Sequence, residues 1–355
     1  MVTRPGLETH HVFLDTEVYR SFGHDLAAKP LSALGKFASE KRVALYTTDI
    51  TLQEIKRQIR DDAVRHAKSA QDLSRKTKRW EQLSGKAFSN ASFDIDADSI
   101  SDAAYSHFCE VLLEEWGCNE LHANSVDTAT IFQKYFAKQP PFEGVNSKEF
   151  PDAFAIETLI NWCESQSIRM YVVTNDTAMR AAASATDALI PLSSVDELLE
   201  RAASTDTPQA TLVLEEIISR KRALKALEVE IGKRIGWLGA VYTGNLHEGE
   251  VTDVYVDGRI NIRRFSVVSM SHQSIEAIID ASIPVVATVN YYDVSHAIYD
   301  SEDGVYIGAE AEDAEISDNA NIKLFASFDR ANGKLISMDF ITRDIHIAER
   351  EDFYK

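Results

Sequence analysis

Cysteine is scarce in this chain of 355 residues, with only Cys109, Cys118 and Cys163. Three cysteines leave one over from any pairing and show no metal-ligand spacing, which excludes a disulfide framework or zinc ribbon and points to a reducing cytoplasm. No apolar run approaches the roughly 18 residues that span a bilayer, and Met1 to His10 is polar, without the apolar core of a signal peptide. Positive charge is also short. The net charge of −19 excludes a large sequence-independent grip on nucleic acid by the chain as a whole. There is no G-x-S-x-G, and Ser84-Gly85-Lys86-Ala87 lacks the upstream glycine and the hydroxyl residue of a phosphate loop. His10-His11 has no Cys or His partner at metal spacing.

The charge that is present is unevenly spread. Between Lys56 and Lys86 there are ten lysines and arginines against four acids, whereas Gly236 to Lys355 is strongly acidic. Any nucleic-acid contact is therefore expected in the first half. There, short apolar runs of strand character (His11–Leu14, Arg42–Thr47, Arg169–Thr174, Leu189–Leu192) alternate with helical runs near Leu31–Ser39, from Thr48 or Asp49 to about Leu83, Ser101–Trp116, Ser125–Phe136, Pro151–Ser165, Asp176–Ser184 and Val195–Ala203. Residues 85–100 read as an irregular connection. Alternating strands and helices imply an α/β domain with a central parallel sheet. The 97 residues between Glu54 and Asp152 read as mostly helical, an insertion over about 56–145. After the Ser204–Pro208 linker, Gln209–Ile235 reads as one long helix. Residues 236–355 read as a β-rich domain, with Asp257-Gly258 and Ala331-Asn332-Gly333-Lys334 as hairpin turns. The expected domains are 1–204, a linker helix over 205–235, and 236–355.

Four acids punctuate the first half. Asp15 and Asp176 close strand-like runs, while Glu54 and Asp152 open helical ones. Each alone is commonplace, as a turn residue, a cap, a solvated helix face or a complement to the helix dipole. Together they fall where strand ends and helix starts meet at one edge of an open sheet, the crevice in which ligands bind. Carboxylates that converge there repel unless a cation intervenes. Mg²⁺ or Mn²⁺ is the economical one, and its chemistry is phosphodiester hydrolysis.

The segments Phe13-Leu14-Asp15-Thr16, Leu52-Gln53-Glu54-Ile55-Lys56, Phe150-Pro151-Asp152-Ala153 and Val173-Thr174-Asn175-Asp176 resemble the PIN-domain nucleases, and within them a bacterial PIN-like group with a long helical insertion, over about residues 10–195. The resemblance implies a three-layer PIN-like domain and metal-dependent cleavage of RNA, with RNA favoured over DNA. Asp15 and Asp152 would bind the principal metal, Glu54 would complete that site or bind through water, and Asp176 would help hold a second ion or orient the attacking water. Thr16, Lys56, Lys148, Thr174 and Asn175 are candidates to contact substrate phosphate. Glu17 departs from the family pattern, which often has Asn or Ser there. It also replaces the second Asp that a phosphotransferase with an aspartyl nucleophile would want. The resemblance does not reach residues 236–355, for which a regulatory partner or homo-oligomer contact through 205–355 is the expectation. The competing reading is a non-catalytic binding or regulatory protein on a PIN-like fold, whose β-rich domain engages a partner.

Overall fold

A computed structural model describes residues 6–84, 95–142, 149–203, 208–295, 297–300 and 305–348. The chain divides into two compact units, Met1–Ala202 and Ala203–Lys355. Among the described residues no helix is long and apolar enough to cross a membrane.

The first unit runs β1 (His11–Leu14), α1 (Thr16–Ser21), α2 (Lys29–Ser39), β2 (Ala44–Thr48), α3 (Asp49–Ser84), α4 (Ala97–Cys109), a π-helical turn (Glu110–Glu115), β3 (Asn119–Leu121), α5 (Thr128–Phe136), α6 (Phe150–Gln166), β4 (Met170–Val173), α7 (Thr177–Ser184), β5 (Leu189–Leu192) and α8 (Val195–Ala203). The five strands form a parallel sheet in the order β3-β2-β1-β4-β5. This is an α/β fold with the direction of strand addition reversing between β1 and β4. Val12, Phe13, Leu14 and all of β4 are buried, as the unbroken apolar runs of a sheet covered on both faces require. On one face Phe13 and Val172 pack with Ile156, Leu159 and Cys163 of α6 and with Met179 and Ala183 of α7. Thr48 caps α3 by accepting from the Thr51 amide at 3.0 Å.

Several sequence expectations are revised here. The stretch read as helical between Glu54 and Asp152 contributes β3, an edge strand of the main sheet. The helix expected over Ser101–Trp116 starts earlier, at Ala97, and passes into the π-helical turn after Cys109. Part of the irregular connection expected over 85–100, residues 85–94, lies outside the described residues, as does Lys148. Gly35, inside α2, faces the Trp116 indole, and a Cβ there would lie 2.1 Å from Trp116 Cε2.

The second unit runs α9 (Pro208–Ser219), α10 (Lys221–Arg234), β6 (Gly239–Tyr242), β7 (Glu250–Val256), β8 (Asn261–Met270), β9 (Ser274–Asp293), β10 (Ile298–Asp300), β11 (Val305–Ile307), β12 (Glu310–Asp329), β13 (Leu335–Phe340) and β14 (Asp344–Ile347). Strands β9 and β12 pair antiparallel over all 20 residues, from Glu310–Asp293 to Asp329–Ser274. Every odd-numbered residue of β9 from Ile275 to Val289 is buried, the two-residue period of one sheet face. That face packs on Leu214 and Ile217 of α9 and Leu227 and Ile231 of α10.

The single helix expected over Gln209–Ile235 is two. Arg220 turns extended (φ −75°, ψ 122°), and no glycine or proline marks the break. The Asn332-Gly333 turn does join β12 to β13, with Gly333 left-handed at φ +68°. Asp257-Gly258 is not a hairpin. Strands β7 and β8 lie end to end along the same edge of β9, opposite Val285–Asn290 and Ile275–Ser282. Pro284, which has no amide hydrogen for the ladder, sits at the gap between them. Its carbonyl accepts from the Asp257 amide at 2.9 Å, and a Cβ on Gly258 would lie 2.8 Å from Pro284 Cγ.

An alanine in a helix normally outperforms glycine by about 1 kcal/mol. At Gly35 the clash with Trp116 is expected to outweigh that gain, because overpacking costs about 1–3 kcal/mol. Gly35→Ala should therefore lower the urea midpoint and shift Trp116 emission. A rise in the midpoint would contradict this packing.

Candidate metal centre

The site begins with where the chain places Asp15. β1 ends at Leu14, and the Asp15 amide extends the ladder by donating to the Val173 carbonyl at 3.1 Å. Asp15 is thereby fixed beside the end of β4, at the point where the sheet order reverses. Its side chain is only 5% exposed and does not cap α1. Instead it is held by two hydroxyls. Thr174 Oγ1 donates to Oδ2 at 2.7 Å, and Thr16 Oγ1 donates to Oδ1 at 3.2 Å. The Thr174 oxygen also accepts from the Asp176 amide at 3.0 Å, and Asp176 caps α7 by accepting from the Met179 amide at 2.7 Å. One hydrogen-bonded chain thus runs from the end of β1 through β4 to the start of α7. Arg180 braces it from α7, with Nη2 donating to the Thr174 carbonyl at 3.3 Å.

Glu54 stands in the second turn of α3, its Oε1 4.0 Å from Arg57 Nη2. Asp152 stands in the first turn of α6, directly after Pro151. An open groove of about 410 Å³ is lined by Asp49, Ile50, Gln53, Glu54, Arg57 and Pro151, between the starts of α3 and α6.

The four acids influence one another. Burial, followed by the charges of Asp15, Glu54, Asp176 and Glu149, pushes the Asp152 carboxyl up to about 7. Burial raises Asp15 too, with its two threonine hydrogen bonds opposing the rise and Asp176 adding to it. Glu54 is raised by burial and by Asp15, with Arg57 acting the other way. Among the described residues no three Asp, Glu, His or Cys side chains gather closely enough to hold a metal by themselves. A closed protein cage is therefore absent from the described residues. The donor set still fits a hard divalent ion of the Mg²⁺ kind, which keeps several waters and takes only one or two carboxylates directly. It fits also because burial and neighbouring carboxylates hold the Asp152 carboxyl at about 7, a cost that a cation would relieve.

The other residues singled out from sequence fall differently. Glu17 pairs with Arg20 on its own helix and is not among the charges that raise Asp152. Thr16 and Thr174 commit their hydroxyls to Asp15 rather than facing a ligand. Lys56 Nζ lies 5.3 Å from the centre of the Tyr105 ring on α4. Asn175 is exposed beside Asp176. Sequence reading missed Glu149, Arg57 as a groove wall, and Arg180. Arg57 belonged to the basic segment and Glu149 lies three residues before Asp152, but neither spacing announces its role.

An acid-bearing parallel α/β sheet, with its carboxylates at the switch point, defines the class of the first unit. Residues 12–179 match the family of the PIN domain, whose members are generally nucleases and typically use divalent metals. No curated protein and no solved structure matches the chain.

The sign of the Asp152 shift sets a pH dependence. Its folded carboxyl holds a proton up to about pH 7, whereas an unfolded one releases it near the ordinary 3.8. Metal-free stability should therefore fall as pH rises between those values and level off above. Asp152→Asn cannot ionise, so in EDTA it should gain on wild type from pH 5 to pH 8 in urea titrations. An equal difference at both pH values would contradict the shift.

Proposed function

We propose that the first unit hydrolyses phosphodiester bonds in RNA, using Mg²⁺ or Mn²⁺ held through Asp15, Asp152 and Glu54, with Asp176 at a second ion or an ordered water. The observation that carries this reading is the burial of Asp152 among the charges of Asp15, Glu54 and Asp176, which together lift its carboxyl to about 7. Such a centre is electrostatically frustrated without a cation and relieved with one. When bound, the ion would stabilise charge on the scissile phosphate and lower the pKa of its water. The chain's own contribution is orientation. Thr174 and Thr16 fix both oxygens of Asp15, the α7 cap fixes Asp176, and Pro151 sets the first turn that carries Asp152. RNA as the substrate rests on the family resemblance.

The acids repel a phosphate chain, so affinity must come from elsewhere. Beyond Ala67 the side chains of α3 are largely exposed, and Lys68, Lys76, Lys78 and Arg79 have no ion pair among the described residues. At 1.5 Å per residue the helix extends about 54 Å, long enough to follow a bound strand. We assign the phosphate contacts to this arm.

A cleavage panel tests the chemistry. Wild type and Asp152→Asn are incubated with single-stranded RNA, transfer RNA, single-stranded DNA and duplex DNA, in Mn²⁺, Mg²⁺ or EDTA. Metal-dependent cutting of RNA, reduced roughly a hundredfold or more in the variant, is the expected result. Cutting by the variant at the wild-type rate would remove Asp152 from the site.

A second measurement addresses the arm. Replacing Lys76, Lys78 and Arg79 by Gln should reduce the slope of log affinity against log salt by about 2 for a single strand, at roughly 0.7 per phosphate contact. An unchanged slope would take the arm out of the interface.

A further inference from the structure

We infer that Phe132 and Phe136 form a base-stacking subsite for single-stranded nucleic acid beside the acidic centre, an inference that rests on the nuclease reading above. The aromatic residues of α5 join Phe142 and Phe150 in one cluster. Phe150 lies 5.0 Å from Phe142, 5.2 Å from Tyr135 and 5.8 Å from Phe132, between ring centres. Its inner part is a packed core of Ile131, Phe142 and Ala153, all buried. The outer part is not explained by packing. Phe132 is 46% exposed and Phe136 77% exposed. Their rings are four residues apart on one helix face, 6.3 Å between centres and inclined by 27°, a stacked pair open to solvent. An exposed apolar surface of this kind marks an interaction site rather than a core.

The place of the pair selects its occupant. Phe150 opens α6, Pro151 follows it and lines the groove with Glu54 and Arg57, and Asp152 comes next. The aromatic surface is therefore continuous with the helical turn that carries the centre. Lys134, between the two phenylalanines in sequence, is engaged with Glu157 of α6 and so does not cover the ring faces. A planar group with an exposed π-face, attached to a phosphodiester chain that reaches the acids, is an unpaired base. Bases in a duplex have their faces covered by their neighbours and present no such group.

Fluorescence anisotropy of the full chain carrying Asp152→Asn, in Mg²⁺, separates this from a structural role. The probes are a labelled single-stranded RNA, the same strand annealed to its complement, and the same strand with abasic positions. Phe132→Ser/Phe136→Ser, and Phe136→Ser alone should the double variant fold poorly, should bind the single strand roughly tenfold more weakly per lost stacking contact. Neither should alter duplex binding, and the abasic strand should bind all versions alike. Phe136→Trp should retain the affinity. An unchanged affinity for the single strand, or an equal loss on the abasic strand, would overturn the subsite. Binding is read without turnover, so absence of cleavage in the panel with stacking intact would remove the hydrolysis reading and leave the subsite standing.

Discussion

Repulsion among carboxylates is the constraint on which the first unit turns. Asp15, Glu54, Asp152 and Asp176 come from four separate segments and act on one another across one edge of the sheet. Folding such a set together costs free energy at neutral pH, and the surrounding structure reduces that cost only in part. Thr16 and Thr174 donate to Asp15, the α7 amides hold Asp176, and Arg57 offsets Glu54. Among the described residues Asp152 has no comparable donor. Burial first, and neighbouring charge second, leave Asp152, Asp15 and Glu54 all with raised pKa values. Raised carboxyls gathered at one edge of a sheet are the pattern of a functional site rather than of a folding core.

The parallel sheet makes that convergence possible. With β1 and β4 adjacent and parallel and each neighbour added outward from them, the two central strands end together. Asp15 and Thr174 need only a backbone ladder and one hydroxyl to meet. Glu54 and Asp152 then approach from helix starts rather than strand ends. This explains why the acids interact electrostatically without closing a three-ligand cage among the described residues: two rest on rigid strand ends and two on helical turns across a groove. An octahedral ion that retains water tolerates such spacing better than a tetrahedral one that must be closed by side chains.

Legibility in the sequence followed the strength of local pattern. Strands β1 and β4 were readable because Val12-Phe13-Leu14 and Met170–Val173 are unbroken apolar runs, buried on both faces. Strand β3 was not, since Asn119-Glu120-Leu121 is a three-residue edge strand with exposed polar side chains and exists only because β2 offers it a ladder. The break at Arg220 has no glycine or proline, and only packing of both α9 and α10 on one sheet face accounts for it. Asp257-Gly258 carries genuine turn chemistry but serves a different end, bridging two collinear strands past Pro284. Within the site, the acids were legible as residue types in order. The threonines were legible only as candidates, and their commitment to Asp15 became visible once β1 and β4 were placed side by side.

A chain of net charge −19 with an acidic centre cannot draw a polyanion to that centre by field alone. The basic residues that could do so are concentrated on the exposed length of α3, away from the acids, and the exposed aromatics sit on α5 against Phe150 at the start of α6. Division of labour follows from electrostatics. Cations placed among the acids would neutralise them and lower the demand for a metal, so attraction has to be stationed at a distance. Ring faces carry no net charge and so do not neutralise the carboxylates. Affinity without charge close to the centre, and charge without proximity farther out, is the arrangement the proposed function calls for, since it would let an acidic site keep a cation requirement while engaging a phosphate chain.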